Sequence, residues 1–230
     1  METIAASIDA VRARIRAAEA QFGRPPGSVD LLAVGKTRSA EELRAAFAAG
    51  QRHFGENYLN EALAKMDALS DLPIVWHFIG PLQSNKSRGV AEHFAWVHSV
   101  DRLKVATRLS AQRPPGLGPL QVCIEVNVSG EASKAGVVPE DLEALALEVA
   151  ALPGLRLRGF MTVPAPEEDF ERQRAPFRRL HGLFDDLRAR RGLPLDTLSM
   201  GMTADLEAAI AEGATVVRIG TAIFGPRGPT

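Results

Sequence analysis

Leu31-Leu32-Ala33-Val34-Gly35-Lys36 is a short apolar run that ends in a lysine. A parallel strand buried on both faces reads as a near-continuous apolar run, so LLAVGK reads as an interior strand of an α/β protein with the lysine at its carboxyl end. Side chains alternate along a strand, which puts Leu32, Val34 and Lys36 on one face and Leu31, Ala33 and Gly35 on the other. The lysine thereby shares a face with core residues. Partial removal from water disfavours its charged form, lowers its pKa and frees an amine for Schiff-base chemistry with a carbonyl. An inert lysine that snorkels to the rim of the sheet is the competing reading of this stretch alone.

The pattern extends outward from this strand. Upstream, Ile4, Ile8, Val11, Ile15 and Ala18 recur at helical spacing with arginines between them, which predicts an amphipathic helix over 3–22 ended by Gly23 and Pro25. Downstream, Ser39 and Glu42 form a capping-box signature and Gly50 supplies the stop. The strand-helix unit then recurs. Strands are expected at 52–54, 74–79, 96–98, 120–126, 155–160, 197–199 and 216–219. Helices are expected at 56–69, 83–94, after Asp101, from Pro139 to Pro153, and at 167–191 and 203–212. Eight strands alternating with helices predict a parallel sheet closed into a TIM (β/α)8-type barrel. Too little chain follows the eighth strand for a helix, so the N-terminal helix is expected to close the outer ring. An open doubly wound sheet is the alternative, but its glycine-rich turn after the first strand is absent. The proline-rich stretch 113–119 is too short to divide domains, and 1–230 is read as one domain.

Composition narrows the function. With 27 Lys+Arg against 28 Asp+Glu the net charge is -1, so no overall field draws nucleic acid or an anionic membrane, and neither is expected as a partner. No apolar run has membrane-spanning length. The only cysteine, Cys123, lies in QVCIEV and reads as a buried, inert thiol. A lone cysteine and no signal peptide predict a cytoplasmic protein. The histidines at 53, 77, 93, 98 and 181 lack metal-ligand spacing, and neither a GxSxG elbow nor a GxxxxGK[ST] loop is present. The basic run 172–191 reads as a solvated helix face.

In such barrels, active sites lie at the carboxyl ends of the strands, and phosphate is often held by the loops after strands seven and eight. Those loops read Ser199-Met200-Gly201-Met202-Thr203 and Gly220-Thr221-Ala222, with hydroxyls and glycines suited to an anion. Thr203 as a simple helix cap and the glycines as simple turn formers are the duller reading. Arg218, within VVRIG, shares a face with Val216 and Gly220 and needs an acceptor near the mouth: a ring nitrogen, a phosphate or a neighbouring carboxylate. Glu56, Asn57, His77, Gln83, Asn85, Lys86, Asn127, Ser129 and Glu131 also fall in or just after strands.

The motifs AVGKT (33–37), HFGENYLNEALAKM (53–66), WHFIGPLQSNK (76–86), EVNVSGEASKAG (125–136), GFMTV (159–163), LSMGMTADLEAAI (198–210) and VRIGTAIFGPR (217–227) span nearly the whole chain. With them the chain resembles the pyridoxal phosphate homeostasis proteins (YggS/PROSC family), whose barrel is similar to the N-terminal domain of alanine racemases. It departs from that pattern at Gly35, where serine is usual, at Asn60 for glutamine and at Thr203 for serine. The resemblance implies that Lys36 forms a Schiff base with pyridoxal 5'-phosphate, that Ser199, Gly220 and Thr221 hold its phosphate, and that Arg218 faces its pyridine nitrogen. It places Asn57, His77 and Met200 in the same cofactor-binding set.

An arginine in that position opposes protonation of the ring and weakens it as an electron sink. Racemases of the related fold use a second proton-transfer group, a tyrosine from an additional domain, and the sole tyrosine here is Tyr58. The expected function is therefore a cofactor carrier or buffer in vitamin B6 homeostasis, not an enzyme, with a single-domain amino-acid racemase as the alternative. The partners expected are the small-molecule cofactor and apo-enzymes that receive it, and the chain is read as a monomer.

Overall fold

Eight parallel strands close on themselves in sequence order, β1 through β8, with β8 pairing back onto β1. They are β1 (Asp30–Val34), β2 (His53–Glu56), β3 (Val75–Phe78), β4 (Trp96–Val100), β5 (Leu120–Glu125), β6 (Leu155–Met161), β7 (Thr197–Ser199) and β8 (Val216–Ile219). The computed structural model describes residues 3–131 and 134–226. The helices are α1 (Ile4–Gln21), α2 (Ala40–Ala48), α3 (Leu59–Ala68), α4 (Ser87–His93), α5 (Leu103–Gln112), α6 (Pro139–Ala150), α7 (Phe170–Arg191), α8 (Leu206–Ala211) and α9 (Thr221–Phe224). The expected barrel is the one observed.

Local chemistry explains the element ends. Ser39 accepts from the Glu42 N–H while the Glu42 carboxylate accepts from the Ser39 N–H, completing the capping box that opens α2. Asp169 caps α7 through the Arg172 N–H, and Gly192 ends it in the left-handed conformation. The expected starts of α3 and α4 are corrected. Glu56 belongs to β2, Tyr58 is the N-cap of α3, and 83–86 form a turn before α4. The chain after β8 does wind one turn, α9. α1 nevertheless covers the seam: it packs against α2, α8 and α9, and Arg14 pairs with Glu207 at 2.9 Å.

Alternation along the strands separates two environments. Outward residues such as Ala33, Phe54, Val97, Ile124, Phe160 and Val217 are fully buried against the helices and form the apolar core. Burying each large one is worth about 1.5–3 kcal/mol. Inward residues are mixed, and several are polar: His77, His98, Ser199 and Arg218 are all buried. Cys123 is free and buried, and burial pushes its thiol up to about 12, as an inert residue requires. At Gly159 a Cβ would stand 1.8 Å from the Thr197 carbonyl oxygen, so only glycine lets β6 approach β7.

Candidate functional site

β1 stops at Val34, so Lys36 stands in the turn beyond the strand, a correction to the boundary read from the sequence. Gly35 still donates its N–H to the Gly55 carbonyl at 2.9 Å, and the chain then turns as the Arg38 N–H reaches back to the Gly35 carbonyl at 3.0 Å. Lys36 is partly buried there. Thr37, next in line, is the only non-glycine with positive φ among the described residues, at 65°. Such a conformation costs on the order of 1 kcal/mol or more and persists only where the surroundings impose it.

The surroundings are a buried charge cluster. The Thr37 N–H donates to Glu61 Oε1 at 2.6 Å, and Lys65 Nζ donates to the Gly35 carbonyl at 2.6 Å. Lys65 also pairs with Glu56 at 2.9 Å and with Glu61, one helical turn earlier on α3. The backbone on both sides of Lys36 is thus tied to one lysine-centred knot. Glu56 points outward from β2 into it, and burial pushes its carboxyl up to about 7 against the pull of Lys65. Sequence reasoning missed Lys65. Its signal was a lysine four residues after a glutamate on a helix face that also carries Ala62.

Arg38 joins this loop to the chain beyond β8. Its Nη2 donates to the carbonyls of Gly225 at 2.5 Å and Pro226 at 3.1 Å. Strand register agrees, with Leu32 opposite Arg218 and Ala33 opposite Ile219. Gly220 follows. A Cβ there would meet only Val34, at ordinary contact distances of 3.4 Å and beyond, so nothing in the chain demands glycine, and its missing side chain leaves the mouth open beside Val34. The Ile223 and Phe224 N–H groups both bond the Gly220 carbonyl, which leaves the amides of Thr221 and Ala222 ahead of the turn.

Bonds that hold the loop after β7 include Met202 N–H to Asp205 Oδ1 at 2.5 Å, Arg218 N–H to the Gly201 carbonyl at 2.9 Å and Arg14 Nη2 to the Thr203 carbonyl at 3.1 Å. The hydroxyls of Thr203 and Thr221 bond to no described residue. Asn57, after β2, has a buried Oδ1 without a hydrogen-bond partner among the described residues. Its backbone is held against Gly80, where a Cβ would lie 2.3 Å from the Asn57 carbonyl oxygen.

Below the mouth lies Arg218. Its Nη1 donates to Ser199 Oγ and its Nη2 to the Thr162 carbonyl, both at 2.9 Å. Burial lowers this guanidinium to about 10, with Asp205 and Glu125 opposing the shift. Glu125, inward on β5, is raised to about 7 by burial against the attraction of Arg218. Ser199 is wholly buried, and its Oγ also bonds His98 Nδ1 at 2.7 Å.

Of the residues singled out from the sequence, Lys36, Asn57, Gly220 and Thr221 collect at the carboxyl ends of the strands, with Thr203 beside them. Arg218 and Ser199 lie beneath. Ser199 is enclosed by Arg218 and His98, whereas the Thr203 hydroxyl in the same loop bonds to no described residue. Met200 is not brought to the mouth: its N–H donates to the Val216 carbonyl at 3.0 Å and its side chain is buried in the core. Nor is His77, whose two ring nitrogens face His53 and His98 at 2.9 Å each. Asn127 organises the loop after β5 through Ser129, Gly130 and the Glu131 carbonyl, while residues 132 and 133 lie outside the described residues. Among the described residues no group of His, Cys, Asp and Glu could hold a metal ion, and no helix is long and apolar enough to cross a membrane.

The structure is a parallel (β/α)8 barrel with a lysine just past its first strand and, past its seventh and eighth, threonine hydroxyls that bond to no described residue. The family model described as alanine racemase, N-terminal domain, matches residues 6–228, and the chain belongs to that family. It is 63% identical over 227 residues to a Pseudomonas aeruginosa protein named pyridoxal phosphate homeostasis protein, covering 99% of this chain and 97% of that one. An Escherichia coli protein of the same name is 52% identical over 231 residues, with 99% and 98% covered. Among solved structures, PipY of Synechococcus elongatus with pyridoxal phosphate bound is 39% identical with a TM-score of 0.81, covering 92% of this chain and all (100%) of that one. Alanine racemase of Corynebacterium glutamicum, 19% identical with a TM-score of 0.67 over 96% of this chain and 62% of that one, shares the fold alone.

Proposed function

We propose that this chain binds pyridoxal 5'-phosphate on Lys36 and acts as a carrier or buffer in vitamin B6 homeostasis, without substantial catalysis. The observation that carries this reading is the Arg38 bridge, which sets the Lys36 loop against the turn bearing Gly220 and Thr221. An amine and an anion cradle thereby stand side by side at one end of the barrel. The residues present fit the cofactor: the Asn57 Oδ1 is buried without a partner, Gly220 leaves space that a side chain would take, and two hydroxyls bond to no described residue. When bound, pyridoxal phosphate supplies an aldehyde that condenses with the lysine amine and releases water.

The chain's own residues divide the work. Lys36 holds the aldehyde end. Thr203, Gly220 and Thr221 take the phosphate with hydroxyl and amide donors. Arg218 faces the ring nitrogen and, as a cation that Ser199 and Thr162 hold in place, disfavours a proton there. Tyr58, the only tyrosine, is 57% exposed at the N-cap of α3 and makes no capping bond, which supports a site without a positioned second proton-transfer group. The reading includes one cofactor-binding barrel domain over 1–230, a monomeric cytoplasmic protein, and apo-enzymes as recipients of the cofactor.

The test combines colour with isotope exchange. Purified protein given pyridoxal phosphate is expected to turn yellow, to retain the cofactor after borohydride reduction, and to incorporate no solvent deuterium into alanine above the free cofactor's rate. A colourless protein that ignores the cofactor contradicts the binding reading. Steady deuterium turnover abolished in Lys36→Ala contradicts the non-catalytic one and favours an amino-acid racemase.

A further inference from the structure

In a closed (β/α)8 barrel the inward side chains fill the interior in layers, most of them branched and aliphatic. The amino end of this barrel departs from that rule. The first inward residues of β1, β2, β4 and β7 are Asp30, His53, Trp96 and Thr197, with Leu32 and Val216 as aliphatic neighbours. A cavity of about 270 Å³ remains between them. Asp30 stands at its rim, roughly 20 Å of extended chain before Lys36, so the cavity lies at the end of the barrel away from the lysine. Clefts that take drug-sized ligands measure about 300–1,000 Å³, and this one suits a smaller molecule.

Most of the polar groups in its wall are already taken. Asp196 pairs with Arg158 at 2.6 Å and accepts from the Thr197 hydroxyl at 2.8 Å, and the Arg158 guanidinium lies 4.9 Å from the centre of the Trp96 ring. The Thr215 hydroxyl oxygen accepts from the Leu198 N–H at 2.9 Å. Asp30 is the exception. Its carboxylate makes no hydrogen bond or ion pair with a described residue, and its titratable neighbour His53 is lowered by burial and so stays neutral at neutral pH.

Two N–H donors complete the inventory. Ser199 Oγ is wholly buried and accepts from Arg218 Nη1, so its hydrogen goes to His98 Nδ1, the one acceptor left to it. His98 then donates through Nε2 to His77 Nδ1, and His77 through Nε2 to His53 Nδ1. His53 keeps its own hydrogen on Nε2, an atom that bonds to no described residue. The indole N–H of Trp96 bonds to none either.

We infer that this cavity is a second ligand site, for a small organic monocation that carries a primary ammonium group and a neutral oxygen on neighbouring carbons, as an amino alcohol does. The ammonium supplies the partner that Asp30 lacks, the oxygen accepts from His53 Nε2–H, and a short hydrocarbon packs on Leu32 and Val216. Charge selects the class. Asp30 and Asp196 against Arg158 leave the wall one negative charge, which favours a monocation and opposes a ligand that brings a carboxylate of its own. The cation is organic, since among the described residues no group of His, Cys, Asp and Glu could hold a metal ion. In a partly enclosed cavity the ammonium–carboxylate bond is stronger than the same pair in bulk water.

The experiment titrates the full, cofactor-free chain, labelled with 15N-tryptophan, with leucinol and follows its two indole N–H signals by nuclear magnetic resonance, that of Trp96 being identified by its loss in Trp96→Phe. Leucinol is expected to shift the Trp96 signal saturably and to leave Trp76, in the core outside the barrel, in place. Isohexanol, which lacks the ammonium, and leucine, which adds a carboxylate, are each expected to bind roughly 10-fold or more weakly. Asp30→Asn, at an exposed position, is expected to weaken leucinol to a similar degree. Absence of a saturable Trp96 shift, equal binding of either analogue, or unchanged leucinol affinity in Asp30→Asn overturns the site. Should Asp30→Asn fail to fold, the comparison of the three ligands on the unaltered chain still decides. Because no cofactor is present, no outcome depends on whether Lys36 binds one.

Discussion

At the residue scale, the site depends on donors that the fold leaves unused. Thr203 and Thr221 each have a hydroxyl that bonds to no described residue, and a neutral hydrogen bond to a ligand is worth about 1 kcal/mol, more when the acceptor is charged. Thr203→Val and Thr221→Val are each expected to weaken pyridoxal phosphate binding roughly 5- to 10-fold, by fluorescence titration, with the thermal midpoint unchanged. Ser199→Ala is expected to behave differently. It removes a buried acceptor of Arg218 and so destabilises the cofactor-free protein as well, by about 1–3 kcal/mol in urea denaturation. The sequence offered both Ser199 and Thr203 as hydroxyls in one loop. That Ser199 is taken up by Arg218 and His98 follows from β7 ending there with that side chain turned inward, a register detail no motif encodes.

At the element scale, the Lys36 loop is shaped by α3 more than by its own residues. Lys65 ties Gly35 from one side while Glu61 ties Thr37 from the other, and Glu56 completes the knot. Lys65→Met leaves Glu56 buried without its cation and is expected to cost about 3–5 kcal/mol in chemical denaturation. The double variant Lys65→Met, Glu56→Gln removes both charges and is expected to recover part of that loss without restoring normal cofactor affinity, because the Gly35 and Thr37 anchors are still altered. Strands and helices were legible because their periodicity and caps are local, as the Ser39–Glu42 box and Asp169 show. The end of β1 was not. An apolar run shows where burial continues, whereas Thr37's positive φ is imposed by a helix more than twenty residues away, through the bond from its N–H to Glu61.

At the scale of the whole molecule, the fold buries acids whose protonation favours folding. Burial raises Glu125 and Glu56 to about 7, above the ordinary 4.5, so the folded state binds those protons more tightly than the unfolded state. The stability they contribute is complete below about 4.5 and lost as pH rises through about 7, with a slope of at most about 1.4 kcal/mol per pH unit for each group. Glu125→Gln is expected to flatten that decline without abolishing it, since Glu56 remains; an unchanged slope in urea midpoints between those pH values contradicts the assignment. The closed sheet itself was legible, because eight alternating units leave few other solutions. The placement of His77 between His53 and His98 was not, since it depends on a two-residue offset at each of two strand pairings. Protein incubated with pyridoxal phosphate, reduced with borohydride and digested for peptide mass spectrometry is expected to carry a single pyridoxyl group on Lys36, with Lys86 and Lys134 unmodified at one equivalent of cofactor. A pyridoxyl group found on either of those lysines instead, with Lys36 unmodified, contradicts the account.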